Sequence, residues 1–257
     1  MSTIQTDFDR IALVSIDGGT QNDHYHNFLL RHLPSNCQDA LEIGCGAGEF
    51  ARLLAERSRQ VLALDLSPEM IRIARERSAK FPNIDFQLAD VRERTLPDES
   101  FDCIATIATL HHLPFREILL KMKAALKPGG VLLVLDLFEP VKWHGHAGSP
   151  AGQPCRGARP ARDSRAGRAC HDQTASVREG LLDTFLNVIA MGVSVSLRLI
   201  HQGRLLPRRE VREAWAAHER HDIYPTMSQV RELCAEILPG SRVRKHLLWR
   251  YSILWEK

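Results

Sequence analysis

Between residues 38 and 138 short apolar runs alternate with amphipathic stretches, and this alternation constrains the fold more than any other feature of the chain. DALEI (39–43) runs into a glycine loop, and GEFARLLAER after it places Phe50, Leu53 and Leu54 at helical spacing. QVLALD (60–65) reads as the next strand. SPEMIRIARERSAK follows as a helix, with Ser67 as N-cap and Pro68 at its first position. IDFQLAD (84–90) and DCIATIA (102–108) are a third and a fourth strand. PFREILLKMKAALKPGG carries Phe115, Ile118, Leu119, Met122 and Leu126 on one helical face, and Pro128-Gly129-Gly130 is expected to end it before VLLVLDLF (131–138), the fifth strand. Strands alternating with helices require βαβ crossovers and a mostly parallel sheet. CIATIA and VLLVL are apolar on both faces, as covered central strands are. IDFQL alternates Ile84, Phe86 and Leu88 with Asp85 and Gln87, which predicts an edge strand.

The first strand opens into LEIGCGAGEF (41–50), and the chemistry of this loop limits what it cradles. A triphosphate loop needs Lys-Ser/Thr after its last glycine, whereas Glu49-Phe50 follows Gly48 here. A dinucleotide loop brings backbone up to a pyrophosphate, but Glu42 at the end of the strand would repel that anion and favour a ligand carrying an ammonium group. Asp65, at the end of the second strand, stands where an acid accepts hydrogen bonds from ribose hydroxyls. Asp90, at the end of the third, is placed to accept from an adenine amino group.

These residues resemble the class I S-adenosylmethionine-dependent methyltransferases. LEIGCGAGEF, LALDLSPEMI, QLADV, FDCIATIATLHHL and LKPGGVLLVLD stand in the family's order and spacing. The likeness runs from the start of the chain to about residue 140 and resumes near 180, and it is greatest to small-molecule enzymes such as the quinone-biosynthesis methyltransferases. It implies an α/β fold: a doubly wound, seven-stranded, mostly parallel Rossmann-like sheet with a C-terminal helical lid. The expected organisation is a cofactor-binding core over 1–140, an insert over 141–180, a lid over 181–240 and the last strands of the sheet over 241–257. S-adenosylmethionine is the implied cofactor. Gly44, Cys45 and Gly46 would pass its methionine portion with Glu42 supporting the loop. Asp65 and Leu66 would hold the ribose end, Met70 would lie against adenine, Asp90 with the Val91 amide would read adenine's edge, and Ala108 completes the implied site.

A sulfonium methyl is already activated, so the protein has mainly to align an acceptor and exclude water. A base is needed only for an acceptor that holds its proton at neutral pH. Candidates are His111 and His112 after the fourth strand, Asp136 near the end of the fifth, and the stretch DHYH (23–26), whose Tyr25 and His26 precede a helix expected to cover the cofactor mouth.

Beyond residue 140 the composition changes. Residues 143–176 contain no Leu, Ile, Val, Met or Phe, so chain entropy outweighs what the segment can bury, and it is read as disordered or loosely packed. A reading-frame slip in a GC-rich gene is the preferred account of its Arg, Ala, Gly and Pro, a genuine insert is the alternative, and the nucleotide sequence decides between them. Residues 141–180 hold seven Lys and Arg against three acids, which leaves the remainder of the chain at −1 out of a total of +3. That distribution argues against nucleic acid as a partner, and the Asn/Asp-Pro-Pro-aromatic signature of amino-methylating nucleic-acid enzymes is absent where ATLHHLP stands. Residues 181–200 are strongly apolar but hold Asp183, Asn187 and Arg198, which disfavours a membrane span. They suit a lid over a small apolar acceptor, a homodimer contact or peripheral membrane contact. REVREAWAAHERH reads as a helix, and TMSQVRELCAEILPG as another opened by a Thr226…Gln229 capping box. Six scattered cysteines without a CxxC pair, and a polar start without a secretory leader, point to a reduced cytoplasmic setting and to no zinc site. The competing readings are a protein that binds the cofactor without transferring, and a methyltransferase acting on RNA or protein.

Overall fold

The computed structural model describes residues 3–14, 22–139, 184–193, 195, 196, 199, 209–218 and 224–257. The disordered-insert reading of 141–180 and the start of the predicted lid lie outside them. Seven strands form one sheet: β1 (Cys37–Ile43), β2 (Ser58–Asp65), β3 (Ile84–Leu88), β4 (Phe101–Ile107), β5 (Leu126–Leu137), β6 (Arg242–His246) and β7 (Arg250–Glu256). Their order is β3-β2-β1-β4-β5-β7-β6, with β7 the antiparallel member between β5 and β6. The order reverses between β1 and β4. The carboxyl ends of those two strands therefore leave a crevice that no crossover fills.

The helices are α1 (Thr3–Val14), α2 (Asp23–Leu30), α3 (Glu49–Ala55), α4 (Pro68–Arg77), α5 (Phe115–Ala125), α6 (184–193), α7 (Arg209–His218) and α8 (Met227–Ile237). Side chains alternate across each strand, so the sheet has two cores. On one face Leu29, Phe50, Leu54 and Ile71 from α2, α3 and α4 meet Ala63, Ala105 and Leu135. On the other, Ile118 and Met122 of α5 and Val230 and Ile237 of α8 meet Ile104, Val134 and Ile253. Ser67 caps α4 by accepting from the Met70 amide at 3.1 Å, and the Thr226–Gln229 capping box opens α8. No helix of the described residues is long and apolar enough to cross a membrane.

Three local expectations change. The fifth helix stops at Ala125, before the Pro-Gly-Gly, because Leu126 already pairs with Phe101 and begins β5 across a bulge. β3 is an edge strand, yet of its three apolar residues only Phe86 is buried, and Leu88 is 54% exposed. Thr3–Val14, to which the sequence reading assigns no element, form α1.

Candidate functional site

A cavity of about 610 Å³ opens at the carboxyl ends of β1, β2 and β4, where the strand order reverses; that volume is in the range of small-molecule and cofactor sites. Its floor is the loop after β1. The amides of Gly44 and Cys45 both donate to the Leu64 carbonyl, at 2.8 and 3.0 Å, which folds the loop back over β2. Gly44 has φ +76°, and any side chain there would place its Cβ 2.1 Å from Thr109 Oγ1. Glycine lets the end of β4 close on the loop. Gly46 also has positive φ, but nothing stands within 4 Å of where its Cβ would be. Its backbone faces the cavity, where a ligand can approach it.

Glu42 is 2% exposed although it is ionisable. Its neighbours in the flanking strands are Ala63 and Ala105, small enough to leave it room. Its Oε2 has no hydrogen-bond partner among the described residues. Burial first, then Glu49 and Asp65, hold its carboxyl well above the usual range. Asp65 accepts from the Gly46 amide at 2.8 Å and the Ser67 amide at 2.9 Å, tying the glycine loop to the cap of α4. Its own carboxyl is pushed up by burial, against the pull of those amides. Three acids at one wall with an unsatisfied oxygen among them suit a cationic ligand and repel a phosphate. On that chemistry the residues fit S-adenosylmethionine.

Leu66, Met70, Asp90 and Val91 continue the wall past β2 and β3. Asp90 reaches it already paired: Arg92 Nε lies 2.9 Å from both carboxylate oxygens, and this partner holds Asp90 below the usual carboxylate range. Lys121 of α5 donates to the carbonyls of Val91, Arg92 and Arg94, which fixes the loop after β3. Beyond β4, Ala108 sits in the left-handed region at φ +50° with its amide on the Leu135 carbonyl. A non-glycine residue there is strained, a common condition at functional sites. The wall thus includes all ten residues that the sequence named for the cofactor: Glu42, Gly44, Cys45, Gly46, Asp65, Leu66, Met70, Asp90, Val91 and Ala108.

The three catalytic candidates separate. His112 lines the cavity; among its described lining residues His111 and Asp136 do not appear. His111 instead lies against Asp136, with Nδ1 2.6 Å from Oδ1 and its amide donating to Oδ2 at 2.9 Å. Asp136 is 1% exposed and also accepts from the Leu137 amide. The His111 ring lies 3.8 Å from the His112 ring, so the His111–Asp136 pair buttresses His112. Of DHYH, Asp23 and His26 line the cavity, and burial holds His26 below its usual value despite Asp23. Tyr25 turns away and donates to the Leu247 carbonyl.

The roof contains residues that the sequence reading missed. Ile4, Phe8 and Ile11 of α1 and Trp215 of α7 line the cavity, and the two helices pack on each other. Phe8 meets the rings of His112 and His218 at 5.5 and 4.7 Å. Asp9 accepts from Ser67 Oγ, which joins the roof to the cap of α4. The signal was present as apolar residues at i, i+4 and i+7 from Ile4. Among the described residues of 181–200 none lines the cavity.

Residues 41–134 match the sequence family described as "Methyltransferase domain". An uncharacterized methyltransferase of Mycobacterium tuberculosis is 35% identical over 120 residues, 46% of this chain and 60% of that one. The demethylmenaquinone methyltransferase of Tropheryma whipplei is 34% identical over 104 residues, 40% of this chain and 43% of that one. The chain therefore spans less than two thirds of these relatives' length. A crystal structure of an S-adenosylmethionine-dependent methyltransferase from Aquifex aeolicus superposes with a TM-score of 0.52 at 15% identity, covering 94% of this chain and 95% of that one; it shares the fold. The glycine loop and the acid after β2 both lie inside the matched segment, so residues 41–134 carry a methyltransferase domain.

Proposed function

We propose that the chain transfers a methyl group from S-adenosylmethionine to a small, largely apolar acceptor. The observation that carries this reading is the continuity of one cavity from the acids at β1 and β2 to His112, Phe8 and Trp215. When bound, S-adenosylmethionine supplies a methyl on a sulfonium whose leaving group is a neutral thioether. The chain's residues do the rest. Gly44 and Gly46 would present backbone to the methionine portion, and Glu42, giving up its proton as the cation approaches, would balance the positive charge. Asp65 holds the ribose hydroxyls with the lone pairs that the Gly46 and Ser67 amides leave. Asp90 and the Val91 amide take adenine's edge, with Asp90 sharing its carboxylate with Arg92. The apolar side chains of Ile4, Phe8, Ile11 and Trp215 exclude water from the far part of the cavity. His112 takes the proton of an acceptor that carries one, through an imidazole nitrogen, while Asp136 fixes His111 with Nδ1 as donor beside it.

Methyl-tritiated S-adenosylmethionine incubated with the full chain and a fractionated metabolite extract is expected to label a small molecule. His112→Ala should slow labelling by about 10²–10⁴-fold for a protic acceptor, with affinity for S-adenosylhomocysteine unchanged. Tight binding of S-adenosylhomocysteine with no labelled fraction would favour a cofactor-binding protein without transfer.

A further inference from the structure

Where α1 meets α7, the roof buries a polar pair that packing does not require. His218, the last residue of α7, is 2% exposed, and its Nδ1 lies 3.6 Å from Oδ2 of Asp7 on α1. That carboxylate oxygen is buried and has no hydrogen-bond partner among the described residues. The side chains that α1 and α7 contribute to the cavity are apolar: Ile4, Phe8, Ile11, Ala12 and Trp215. An imidazole and a carboxylate set beside them carry a desolvation cost that two apolar side chains would avoid. α1 also has a separate tie to the core, from Asp9 to Ser67.

The pair stands behind His112. The His218 ring lies 4.8 Å from the His112 ring at 58°, and Phe8 meets both rings edge-on. On its other side His112 has the His111 ring at 3.8 Å, held by Asp136. His112 is therefore bracketed by two imidazoles, each beside a carboxylate, one pair on the sheet side and one in the roof. A base works only with a ring nitrogen within hydrogen-bond reach of the proton it takes, and the torsion that turns an imidazole about its Cβ–Cγ bond is intrinsically broad. Of the rings around His112, Phe8 has no polar anchor, whereas His111 and His218 each have a carboxylate. The 3.6 Å contact is longer than a hydrogen bond, as contacts around a base often are before substrate is bound.

We propose that Asp7 and His218 are positioning residues: Asp7 holds the His218 ring, and that ring sets the orientation of His112 for the proton it accepts. The acceptor gives its proton to His112 and uses the freed electron pair to bond the methyl, while sulfur keeps the pair of the bond that breaks; His218 and Asp7 exchange no proton. This rests on His112 as the base in the reading above, and the test separates the two.

The full chain is compared with the double variant Asp7→Leu/His218→Phe, in which apolar side chains replace the polar pair. The double variant is expected to melt at or above the wild-type temperature and to keep the KM for S-adenosylmethionine. Its initial rate of labelling the fractionated extract should fall about tenfold or more. Asp7→Leu and His218→Phe alone should each lose as much rate as the two together, because the residues act as a unit. Asp7→Asn should fall between Asp7→Leu and the wild type, since its amide oxygen still accepts from the imidazole. A double variant as fast as the wild type, or one slowed only in step with a lower melting temperature, would overturn the proposal. Should the double variant not fold, Asp7→Asn gives the same test, and a rate equal to the wild type overturns it. With ring-labelled histidine and bound S-adenosylhomocysteine, the nuclear Overhauser contact between His112 and Phe8 is expected in the wild type and lost in the double variant; an unchanged contact would also overturn it. If the wild type labels nothing, or His112→Ala labels as fast, the base reading falls, and the Overhauser contact still decides whether His218 orients the ring.

Discussion

Glu42 is the residue whose physics is most tightly joined to the proposed function. Burial beside Glu49 and Asp65 makes its folded form hold a proton that the unfolded chain releases near 4.5. Its contribution to stability is therefore full below about pH 4.5 and is lost as pH rises from there through the raised folded value; Asp65, also raised, adds the same sign. Glu42→Gln removes one source of that decline. The variant should match the wild type in melting temperature at pH 4 and exceed it at pH 8, while binding S-adenosylmethionine about tenfold more weakly, because an amide cannot ionise to meet the cation as the carboxyl can. Melting curves that run parallel from pH 4 to 8 would contradict the assignment. The sequence made Glu42 legible, because an acid at the end of an apolar strand before a glycine loop has few other uses. The difference between His111 and His112 was not legible. Adjacent residues in a single 3-10 turn point in different directions, and only the position of Asp136 on a strand 25 residues later decides which one is held away from the cavity.

At the scale of the element, Ser67 shows how one cap serves two structures. Its Oγ accepts from the Met70 amide as the N-cap of α4 and donates to Asp9 of α1. Ser67→Ala is expected to cost about 1–2 kcal/mol and also to speed release of S-adenosylhomocysteine, because the roof loses its tie to the core. Thr226→Ala removes a comparable cap from α8, far from the cavity, and should cost about 1 kcal/mol with no change in release. Equal release rates in the two variants would show that α1 does not depend on Asp9. The capping residues were readable from the sequence, since capping chemistry is local. The end of α5 was not: Leu126 has the spacing of a helical residue, and the pairing that recruits it to β5 is with Phe101, distant in sequence.

For the whole molecule, the site is a product of strand order. β1, β2 and β4 each end in a residue that the cavity uses, as does the loop after β3, and these residues converge because the strand order reverses between β1 and β4. α1 then closes the site, packed on α7. Deleting residues 1–14 should leave the far-ultraviolet dichroism of the sheet and its flanking helices in place, yet weaken S-adenosylhomocysteine binding by about tenfold or more. Unchanged affinity would mean that α1 is a bystander. Strand periodicity, helix caps, the glycine loop and the acids at strand ends belong to the amino-acid sequence alone, because each depends on neighbours within a few positions or on the chemistry of one side chain. The roof over the cavity and the selection of His112 over His111 were decided by the tertiary structure. Each depends on groups brought together across tens to hundreds of residues, and no local pattern records which partner a side chain meets.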